Sequence, residues 1–397
     1  MSKSNETTPN VPTLRFKQFQ DNWSSKRLSD IAEVVGGGTP DTTDSTLWNG
    51  GIQWFTPTEV GHSKYVSMSA RTISQLGLQK SSAKILPAGS ILLSSRATVG
   101  ECSITQKDCT TNQGFQNLIP KKGINNEFLY YLAQTQKRHF IKYASGSTFL
   151  EISNSEIKKT KCAVPSIEEQ TEIATFLSAI DRKIEVQNKI ISDLKVLKKE
   201  LCNRYFKSVH NDMSLGYITL KDILTERKEY CSKDGTYTHG TLSKEGVSPK
   251  TERYDRDFLV KNEDKQYKVT HFNDICYNPA NLKFGVICRN TYGDLIFSPI
   301  YVTFEIADTV YPAYIELFLT NANFIGRIRR YEQGTVYERM AVSSEDFLSY
   351  ETHMPTYEDQ VKFADKIQRI QDKIELETSF LNYLQKQRKY FLNAMFI

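Results

Sequence analysis

The sequence predicts an α+β protein in which two mixed helix-and-strand domains are each followed by a long helix. The main observation is an internal repeat: segment 165–206 aligns without a gap with segment 355–396, and 12 of the 42 aligned positions are identical. A repeat of this length indicates two copies of one structural unit. The second observation is a heptad pattern of apolar residues in both copies, which is typical of a coiled coil.

The heptad pattern predicts that the two long helices pair with each other. Apolar residues recur at alternating steps of three and four, and a mean spacing of 3.5 residues favours a coiled-coil seam over a general amphipathic face. Two seam positions are polar in each copy: Gln187 and Lys198 in the first, Glu377 and Arg388 in the second. We expect an antiparallel coiled coil, because a parallel pairing in matched register would oppose Lys198 and Arg388.

The polar positions also predict a register. If Lys198 faces Glu377 and Gln187 faces Arg388, every other layer pairs apolar with apolar residues. The residues expected to form the seam are Ile184, Gln187, Ile191, Leu194, Lys198, Leu201, Ile374, Glu377, Leu381, Leu384, Arg388 and Phe391. Two alternatives stay open: the helices could pack separately on their own domains, or exchange between two chains of a domain-swapped dimer.

Length and the repeat give the domain boundaries. A chain of 397 residues is too long for one hydrophobic core. We expect a disordered lead-in over residues 1–14, a first domain over 15–163, a helix over 164–210, a second domain over 211–353 and a second helix over 354–397. Each domain should contain short strands broken by Gly, Pro and Asn, and an aromatic helix over 127–141 or 311–330.

Composition narrows the location and the partners. No apolar run approaches 18 residues and the N-terminus lacks a hydrophobic signal region, so no membrane span is predicted. The seven cysteines include no CxxC pair, which favours reduced thiols and a cytoplasmic protein. Residues 1–163 carry 19 basic and 12 acidic side chains, which suits a polyanionic partner, whereas residues 211–353 carry 17 basic and 21 acidic ones.

Motifs for catalysis and cofactor binding are not found. The sequence has no GxxxxGK[ST] phosphate loop, and the glycine run 36–38 leads into Thr39 and Pro40 and not into a helix, so a tight turn is predicted there. Segment 278–281 is only partly similar to the Asn-Pro-Pro-aromatic element of DNA amino-methyltransferases. The six histidines show no metal spacing. We therefore expect no catalytic site, no cofactor and no metal.

Several short motifs, taken in order, resemble the specificity (S) subunit of type I restriction-modification systems. They are Gly37-Gly38-Thr39-Pro40, Trp48-Asn49-Gly50-Gly51-Ile52-Gln53-Trp54, Thr98-Val99-Gly100, Thr111-Asn112-Gln113-Gly114-Phe115 and Pro165-Ser166-Ile167-Glu168-Glu169-Gln170. The resemblance covers nearly the whole chain. The second half has neither the GGTP nor the NQG element, which implies a recognition domain of a different sequence class.

The resemblance implies a non-catalytic subunit with two target recognition domains, each reading one half of a bipartite, asymmetric site on double-stranded DNA. The paired helices would act as a spacer and as a surface for two modification (methyltransferase) subunits, which carry out adenine methylation. Restriction (endonuclease and translocase) subunits would join the complex to cleave. Two other functions stay open: a self-contained DNA methyltransferase or nuclease, and a coiled-coil adaptor that does not bind DNA.

Polar and basic loop residues are the candidates for DNA contact, because Lys and Arg bind phosphates and polar side chains read base edges. In the first domain they are Thr39, Lys64, Tyr65, Arg71, Ser94, Ser95, Arg96, Thr98, Asn112 and Gln113. In the second domain they are Lys244, Lys250, Arg253, Tyr254, Asn281, Lys283, Arg327, Arg329 and Arg330. Arg96 suits guanine, and Asn112 or Gln113 suits adenine. An Asn-Gln-Gly sequence is also a common turn that satisfies its own backbone.

Overall fold

The computed structural model describes residues 11–146, 150–232, 236–244, 246–250, 266–333 and 340–397. The chain divides into two compact units. The first unit consists of Met1–Asn188 and Phe380–Ile397, and the second of Lys189–Ser379. Each unit therefore combines one globular part with one segment of each long helix.

The first globular part is made of short strands and short helices. Its strands are β1 (Ser24–Arg27), β2 (Ala32–Gly36), β3 (Trp48–Phe55), β4 (Tyr65–Val66), β5 (Arg71–Ile73), β6 (Ile91–Leu93), β7 (Cys102–Thr105), β8 (Cys109–Thr111), β9 (Gln116–Pro120) and β10 (Lys161–Val164). Its helices are α1 (Leu28–Ile31), α2 (Gln75–Gln79), α3 (Asn126–Thr135), α4 (Lys137–Tyr143) and α5 (Asn154–Lys159), and the long helix α6 (Ile167–Asn211) follows.

The second globular part follows the same plan. Its strands are β11 (Gly216–Thr219), β12 (Leu224–Glu226), β13 (Tyr230–Cys231), β14 (Thr238–Ser243), β15 (Gly246–Pro249), β16 (Tyr267–Thr270), β17 (Ile275–Tyr277), β18 (Ile287–Arg289), β19 (Leu295–Phe297), β20 (Val302–Ile306) and β21 (Glu351–Met354). Its helices are α7 (Pro312–Leu319), α8 (Ala322–Ile328) and α9 (Ser344–Leu348), and the long helix α10 (Tyr357–Ala394) follows.

The sheets show that the plan is duplicated. The first unit has sheets in the strand orders β2-β9-β6-β7-β4 and β5-β3-β8, and the second has β12-β20-β17-β18 and β13-β16-β19-β14-β15. In each unit the first strand of the globular part pairs antiparallel with the last, β1 with β10 and β11 with β21. This pairing brings the two ends of each globular part together at the start of a long helix.

The repeated glutamine at the head of each long helix has the same role in both units. Gln170 accepts a hydrogen bond from the backbone N–H of Asn125 at 3.0 Å, and Gln360 accepts one from Tyr311 at 2.9 Å. Each glutamine also donates from Nε2 to the proline carbonyl five residues earlier, at 3.0 Å. Because Asn125 and Tyr311 precede α3 and α7, each glutamine ties a long helix to the helix of its own globular part.

The long helices α6 and α10 pack together, as the heptad pattern predicts. Within the second unit, Tyr205 stacks on Phe363 with ring centroids 3.6 Å apart, and Lys198 Nζ donates to Gln371 Oε1 at 2.9 Å. Going from Tyr205 back to Lys198 on α6, the contacted residue on α10 advances from Phe363 to Gln371, so the two segments are antiparallel. Tyr205 also contacts Tyr314 edge to face, which joins this part of the seam to the core of the second unit.

The segments of α6 and α10 in the first unit are antiparallel as well. Phe176 packs edge to face on Phe391 with centroids 5.0 Å apart, and Asp181 forms an ion pair with Arg388. At the end of the chain, Phe396 stacks on Phe128 of α3 with centroids 5.2 Å apart. The C-terminal end of α10 is therefore part of the hydrophobic core of the first unit.

The predicted register is wrong by about one heptad. Lys198 bonds to Gln371 and not to Glu377, and Arg388 pairs with Asp181 and not with Gln187. Glu377 forms an ion pair along its own helix, with Lys373. A slip of one heptad keeps the apolar seam intact, so the seam pattern alone cannot distinguish the two registers.

The expected seam residues do lie on the inner faces of the two helices. They are all buried or half-buried: Ile184, Gln187, Ile191, Leu194, Lys198, Leu201, Ile374, Glu377, Leu381, Leu384, Arg388 and Phe391. The heptad pattern therefore identifies which face of each helix is covered, although it does not give the partner of each residue.

Other expectations are corrected locally. Thr13 and Leu14, expected in the lead-in, both donate hydrogen bonds to the carbonyl of Ala394, at 3.1 and 2.9 Å. Residues 1–10 lie outside the described residues. The expected helix over 127–141 is broken at Gln136, and the one over 311–330 is broken at 320–321, where the side chain of Asn321 caps the start of α8. All seven cysteines are free thiols.

Candidate DNA-binding surface

Four loops of the first unit meet at one end of its sheets. They follow β2, β3, β6 and β8. Backbone hydrogen bonds join them through the pairs Gly38 N–Thr111 O (2.8 Å), Asn112 N–Phe55 O (3.0 Å) and Ser95 N–Gly114 O (2.9 Å). Because backbone groups of one loop bind those of the next, the loops form one connected surface, and most of the predicted contact residues of this domain lie on it.

Two tryptophans hold the loop that carries Thr39. The indole N–H of Trp54 donates to the carbonyl of Gly38 at 2.8 Å, and that of Trp48 donates to the carbonyl of Asp41 at 2.9 Å. The two rings pack edge to face with centroids 5.0 Å apart. Both indoles belong to β3, a rigid element, so the position of this loop is set by the sheet. Both tryptophans lie in the motif 48–54, but the motif does not by itself indicate this role.

The glycines before Thr39 are needed for close approach and not for a tight turn. A Cβ atom on Gly37 would lie 1.9 Å from the carbonyl oxygen of Asn112, and one on Gly38 would lie 2.3 Å from the backbone nitrogen of Ala83. No side chain fits at either position, because backbone packs on backbone there. The predicted tight turn at residues 36–38 is therefore wrong, although the reason for glycine is still steric.

The loops bring together three predicted contact residues, Thr39, Asn112 and Gln113. Their side chains differ in whether they can contact DNA. The Thr39 hydroxyl donates to the side-chain oxygen of Gln113, and Gln113 is exposed. Asn112 accepts from the backbone N–H of Gly114 at 2.8 Å. Asn112 thus closes its own turn, which was the alternative interpretation of the Asn-Gln-Gly sequence. Of this pair, Gln113 is the side chain that can reach a base edge.

Arg71 is held flat against the same tryptophan that supports the Thr39 loop. Its guanidinium carbon lies 3.6 Å from the centroid of a Trp48 ring and 5.4 Å from that of Trp54. Arg71 itself is exposed at the surface. Stacking on an aromatic face fixes the plane of a guanidinium and leaves its N–H groups free to point outward. This arrangement suits the binding of a phosphate or of a guanine edge.

Arg96 and Thr98 lie on the exposed loop after β6. The Arg96 Nε atom is 3.9 Å from a carboxylate oxygen of Glu151, and both side chains are nearly half exposed. Ala97 between them has φ of 63°, in the left-handed region, which is strained for a residue with a Cβ. The Thr98 hydroxyl is 3.0 Å from that of Ser94. The loop therefore presents Arg96 outward in a defined conformation.

Three predicted contact residues of this domain do not lie on the open surface, whereas Tyr65 is 40% exposed. Ser94 and Ser95 are fully buried, and Lys64 is only 10% exposed. Lys64 donates to Glu127 at 3.0 Å, and the hydroxyl of Tyr65 donates to the same carboxylate. Burial lowers the pKa of Lys64, although Glu127 opposes this. Sequence alone gives the type of these side chains but not the direction in which they point.

The second unit has its candidate residues on corresponding loops. Asn281 and Lys283 lie in the 3₁₀ segment Pro279–Phe284 that follows β17, the counterpart of the loop after β6. Asn281 is exposed, and the Lys283 ammonium is 5.3 Å from the ring of Phe284. Lys244 and Lys250 are exposed beside the strand β15. The predicted residues Arg253 and Tyr254 lie outside the described residues.

The remaining arginines are located near the end of α8. Arg329 and Arg330 are exposed, and Arg329 has Nε 3.8 Å from Glu332. Arg327 is half-buried and lines a small cavity with Lys207 and His210 of α6. Burial and then the charge of Arg327 lower the pKa of His210. This group is a local cluster of basic side chains in a domain whose net charge is negative.

Within the described ranges, we find no group of three or more His, Cys, Asp or Glu side chains that could hold a metal ion. In that part of the chain, no helix is both long and apolar enough to cross a membrane.

The amino-acid sequence is similar to one described family. Residues 20–196 match the sequence model of the type I restriction modification DNA specificity domain. The specificity subunit of the type I restriction enzyme MjaIX of Methanocaldococcus jannaschii is 40% identical over 188 residues, 46% of this chain and 44% of that protein. The specificity subunit of the type I restriction enzyme EcoR124I/EcoR124II of Escherichia coli is 28% identical over 175 residues, 42% of this chain and 43% of that protein. The chain thus matches less than half the length of these curated relatives.

Solved structures extend the likeness to nearly the whole chain. The S subunit of the type I restriction-modification system of M. genitalium has a TM-score of 0.55 at 15% identity, covering 98% of this chain and 99% of that one. A chain from a structural study of complex assembly and conformational transition of the type I R-M system has a TM-score of 0.60 at 12% identity, covering 95% and 98%. At these identities the likeness shows a shared fold.

Proposed function

We propose that this chain, whose residues 20–196 match a type I restriction modification DNA specificity domain, is the DNA sequence-recognition subunit of a type I restriction-modification complex. Each globular part is then a target recognition domain that reads one half of a bipartite, asymmetric site. The chain itself is not catalytic. It directs adenine methylation by two modification subunits and cleavage by restriction subunits, in the cytoplasm.

The observation that carries this proposal is the duplicated plan of globular part and long helix. A protein that reads two half-sites needs two reading surfaces joined by a spacer of defined length. The helix α6 has 45 residues, which at 1.5 Å per residue corresponds to about 68 Å, the length of two turns of B-DNA. The fold shared with S subunits over nearly the whole chain supports this assignment for both halves.

In the first domain we assign DNA contact to four residues of the connected loops and to Arg71 of β5. The loop residues are Thr39, which is half-buried, and Arg96, Thr98 and Gln113, which are exposed. Arg71 is the strongest of them, because its guanidinium is already oriented by Trp48. A side chain that is ordered before binding loses less conformational entropy on contact with DNA. Gln113 suits an adenine edge, and Arg96 a guanine edge or a phosphate.

In the second domain the basic residues must act locally, because the domain is acidic as a whole. We assign phosphate contact to Lys244, Lys250, Lys283, Arg329 and Arg330, and base contact to Asn281. Arg253 and Tyr254 remain candidates from the sequence. Arg327 packs inside the cluster beside α6, so we assign it to the support of its neighbours.

Exposed apolar residues on the outer faces of the long helices favour the binding of two copies of one partner. Val186 and Leu376 occupy the same position in the repeat and are 58% and 62% exposed. Ile190 and Phe380 are also equivalent and are 38% and 47% exposed. Exposed apolar residues at repeated positions favour binding of the same apolar surface twice. Two modification subunits fit this requirement.

The decisive experiment is single-molecule sequencing of DNA from cells that express this chain together with modification subunits from its own source. We expect adenine methylation on both strands of a two-part motif with a fixed unspecified gap. Exchange of residues 1–163 for the corresponding part of another S subunit should change one half of the motif and leave the other half unchanged.

A negative result would favour the adaptor function. If the complex assembles but no new methylation appears, and if binding to DNA shows no dependence on salt, the chain brings proteins together without reading DNA. The net negative charge of the second domain is the observation that keeps this alternative. Methylation by the isolated chain would instead indicate a self-contained methyltransferase.

A further inference from the structure

A network of charged and polar side chains in the first unit joins the globular part to α6. Glu127 of α3 accepts hydrogen bonds from Lys64 at 3.0 Å, from Ser178 of α6 at 2.6 Å and from the hydroxyl of Tyr65. Lys64 also donates to Ser178 at 2.5 Å and to the hydroxyl of Tyr131 at 3.1 Å. Lys64 thus contributes a largely buried charge that is satisfied by both the domain and the long helix.

The network continues to α10. The hydroxyl of Tyr131 donates to Asp181 of α6 at 2.7 Å, and Asp181 forms the ion pair with Arg388 of α10. Arg388 also donates from Nη2 to the side-chain oxygen of Gln134 on α3 at 3.0 Å. Burial opposes the charge of Arg388, but the hydrogen bond that Arg388 donates to Asp181 raises the pKa of Arg388 above its ordinary value. Two cations and two carboxylates are therefore balanced where three helices meet.

Among the described residues, the repeat places this interhelical ion pair in the first unit only. Asp181 and Arg388 correspond in the repeat to Gln371 and Lys198. That pair also forms a hydrogen bond, of 2.9 Å, but its acceptor is a neutral amide. The position of the contact is therefore duplicated, whereas the ion pair is not.

The domain helices α3 and α7 also differ: polar residues of α3 are replaced by apolar residues in α7. The two domain helices can be aligned on Asn125 and Tyr311, whose N–H groups bond to the repeated glutamines. In this alignment Glu127 corresponds to Ala313, and Tyr131 corresponds to Leu317 of α7. Ala313 and Leu317 are both half-buried and pack on the hydrophobic core of the second unit. The first domain is therefore joined to its helices by charged contacts as well as by apolar packing. In the second domain these positions are apolar, and the contact of Asn321 with Asn203 of α6, at 3.1 Å, joins two neutral amides.

We propose that the network of Lys64, Glu127, Asp181 and Arg388 fixes the angle of the first recognition domain on its helices and so determines how strictly the complex selects the gap between half-sites. This inference rests on the proposed function. Charge-assisted hydrogen bonds fix direction as well as distance, whereas apolar packing is non-directional. The four residues are positioning residues and do not contact DNA.

A change of one base pair in the gap rotates one half-site relative to the other, so the angle of the first domain affects which gaps the complex accepts. One added base pair moves a half-site by about 3.4 Å along the helix axis and turns it by roughly 34–36°. A domain whose angle is fixed by several hydrogen bonds cannot follow such a turn without breaking them. A domain joined mainly by apolar packing and by hydrogen bonds between neutral groups can rotate further at lower cost.

The test uses the assembled complex on a DNA library in which both half-sites are constant and the gap varies by single base pairs. Asp181→Asn combined with Arg388→Gln removes both charges and keeps polar groups in place. We expect methylation at gaps one base pair shorter or longer to rise at least tenfold relative to the native gap, with both half-site sequences unchanged. Glu127→Gln should act in the same direction. Lys198→Gln, the matched change in the second unit, should leave gap selectivity unchanged.

The outcomes separate the inference from the proposed function. Thermal unfolding identifies the folded variants, and Glu127→Gln alone carries the test if the double variant does not fold. Unchanged gap selectivity in a folded variant, or an equal loss of methylation at every gap, overturns the inference because the network would then only stabilise the fold. No methylation at any gap by the unsubstituted chain overturns the proposed function instead.

Discussion

Lys198 on α6 donates a hydrogen bond from Nζ to the side-chain oxygen of Gln371 on α10, 2.9 Å away. The repeat relates this pair to Arg388 and Asp181, which are bonded in the first unit. In each unit, a cation at a seam position of one long helix therefore bonds to a polar residue beside the seam of the other helix. The same antiparallel register holds in both units.

The register can be tested with cysteine pairs in the second unit. Lys198→Cys with Gln371→Cys should form a disulfide under mild oxidation, because the two side chains are in contact. Lys198→Cys with Glu377→Cys should cross-link little, since Glu377 lies about 1.7 turns, or about 9 Å, along α10 from Gln371. The measurement is mobility on a non-reducing gel, with the unsubstituted chain as control for its own seven thiols.

The same gel distinguishes pairing within one chain from exchange between chains. A cross-linked species of monomer size is expected. Efficient cross-linking of the Lys198 and Glu377 pair would mean that the register shown by Gln371 is not the one in solution. A product of twice the monomer mass would instead indicate a domain-swapped dimer.

The repeated glutamines should be important for stability. Gln170→Ala leaves the buried N–H of Asn125 and a buried carbonyl without partners, and Gln360→Ala does the same for Tyr311. Each change should lower the free energy of unfolding by about 1–3 kcal/mol. Urea denaturation followed by circular dichroism measures the loss.

An exposed glutamine of the same helix provides the control. Gln368→Ala removes a surface hydrogen bond to Asp372 and should change the free energy of unfolding by less than about 0.5 kcal/mol. Equal effects at Gln360 and Gln368 would show that the connection between α7 and α10 adds nothing to stability.

Arg71 should contribute to reading of the first half-site. Arg71→Ala is expected to weaken binding of the assembled complex by about 1–3 kcal/mol if the guanidinium reads a base. Arg71→Lys should restore little, because an ammonium has no planar face to stack on Trp48. Binding titrations at several salt concentrations distinguish the two modes: a phosphate contact lowers the salt slope by about one and leaves the sequence preference unchanged.

Lys80→Ala is the matched change, since Lys80 is an exposed cation of the same domain that lies outside the connected loops. It should leave affinity and sequence preference unchanged. The assignment of Arg71 to the DNA surface fails if Arg71→Ala behaves like Lys80→Ala.

His271 should make the second unit less stable as the pH rises. Its Nδ1 is 2.8 Å from Asp294 and its Nε2 is 3.0 Å from Glu229. Burial lowers the pKa of His271, but these carboxylates outweigh burial and the nearby Arg227, so the pKa is raised above 6.5. A raised pKa contributes stability that is fully present below 6.5 and is lost as the pH passes the folded value.

The measurement compares the unsubstituted chain with His271→Gln by urea denaturation over this pH range. The difference in unfolding free energy should be largest at low pH and should shrink toward high pH. Asp294→Asn removes one of the two negative charges that face His271 and should reduce the difference at low pH. A difference that does not depend on pH would show that the histidine is not protonated in the folded state.

The candidate surface could be predicted only in part. The order of the loop motifs gives the segments, and Arg96 and Gln113 are exposed where those loops meet, with Thr39 half-buried beside them. Lys64 and Ser95 have the right side-chain chemistry, but they point inward. A short loop alternates between inward and outward positions, and the neighbours that decide between them are distant in sequence.

The sequence by itself determined which segments are repeated, which face of each long helix is covered and which loop segments carry polar side chains. These properties depend on local periodicity and on identity between the two copies. Only the tertiary structure decided the register of Lys198 against Gln371 and the inward direction of Lys64. A slip of one heptad leaves the apolar seam unchanged, so the choice depends on contacts outside the seam, such as the ion pair of Arg388 with Asp181 and the packing of Phe396 in the core of the first unit.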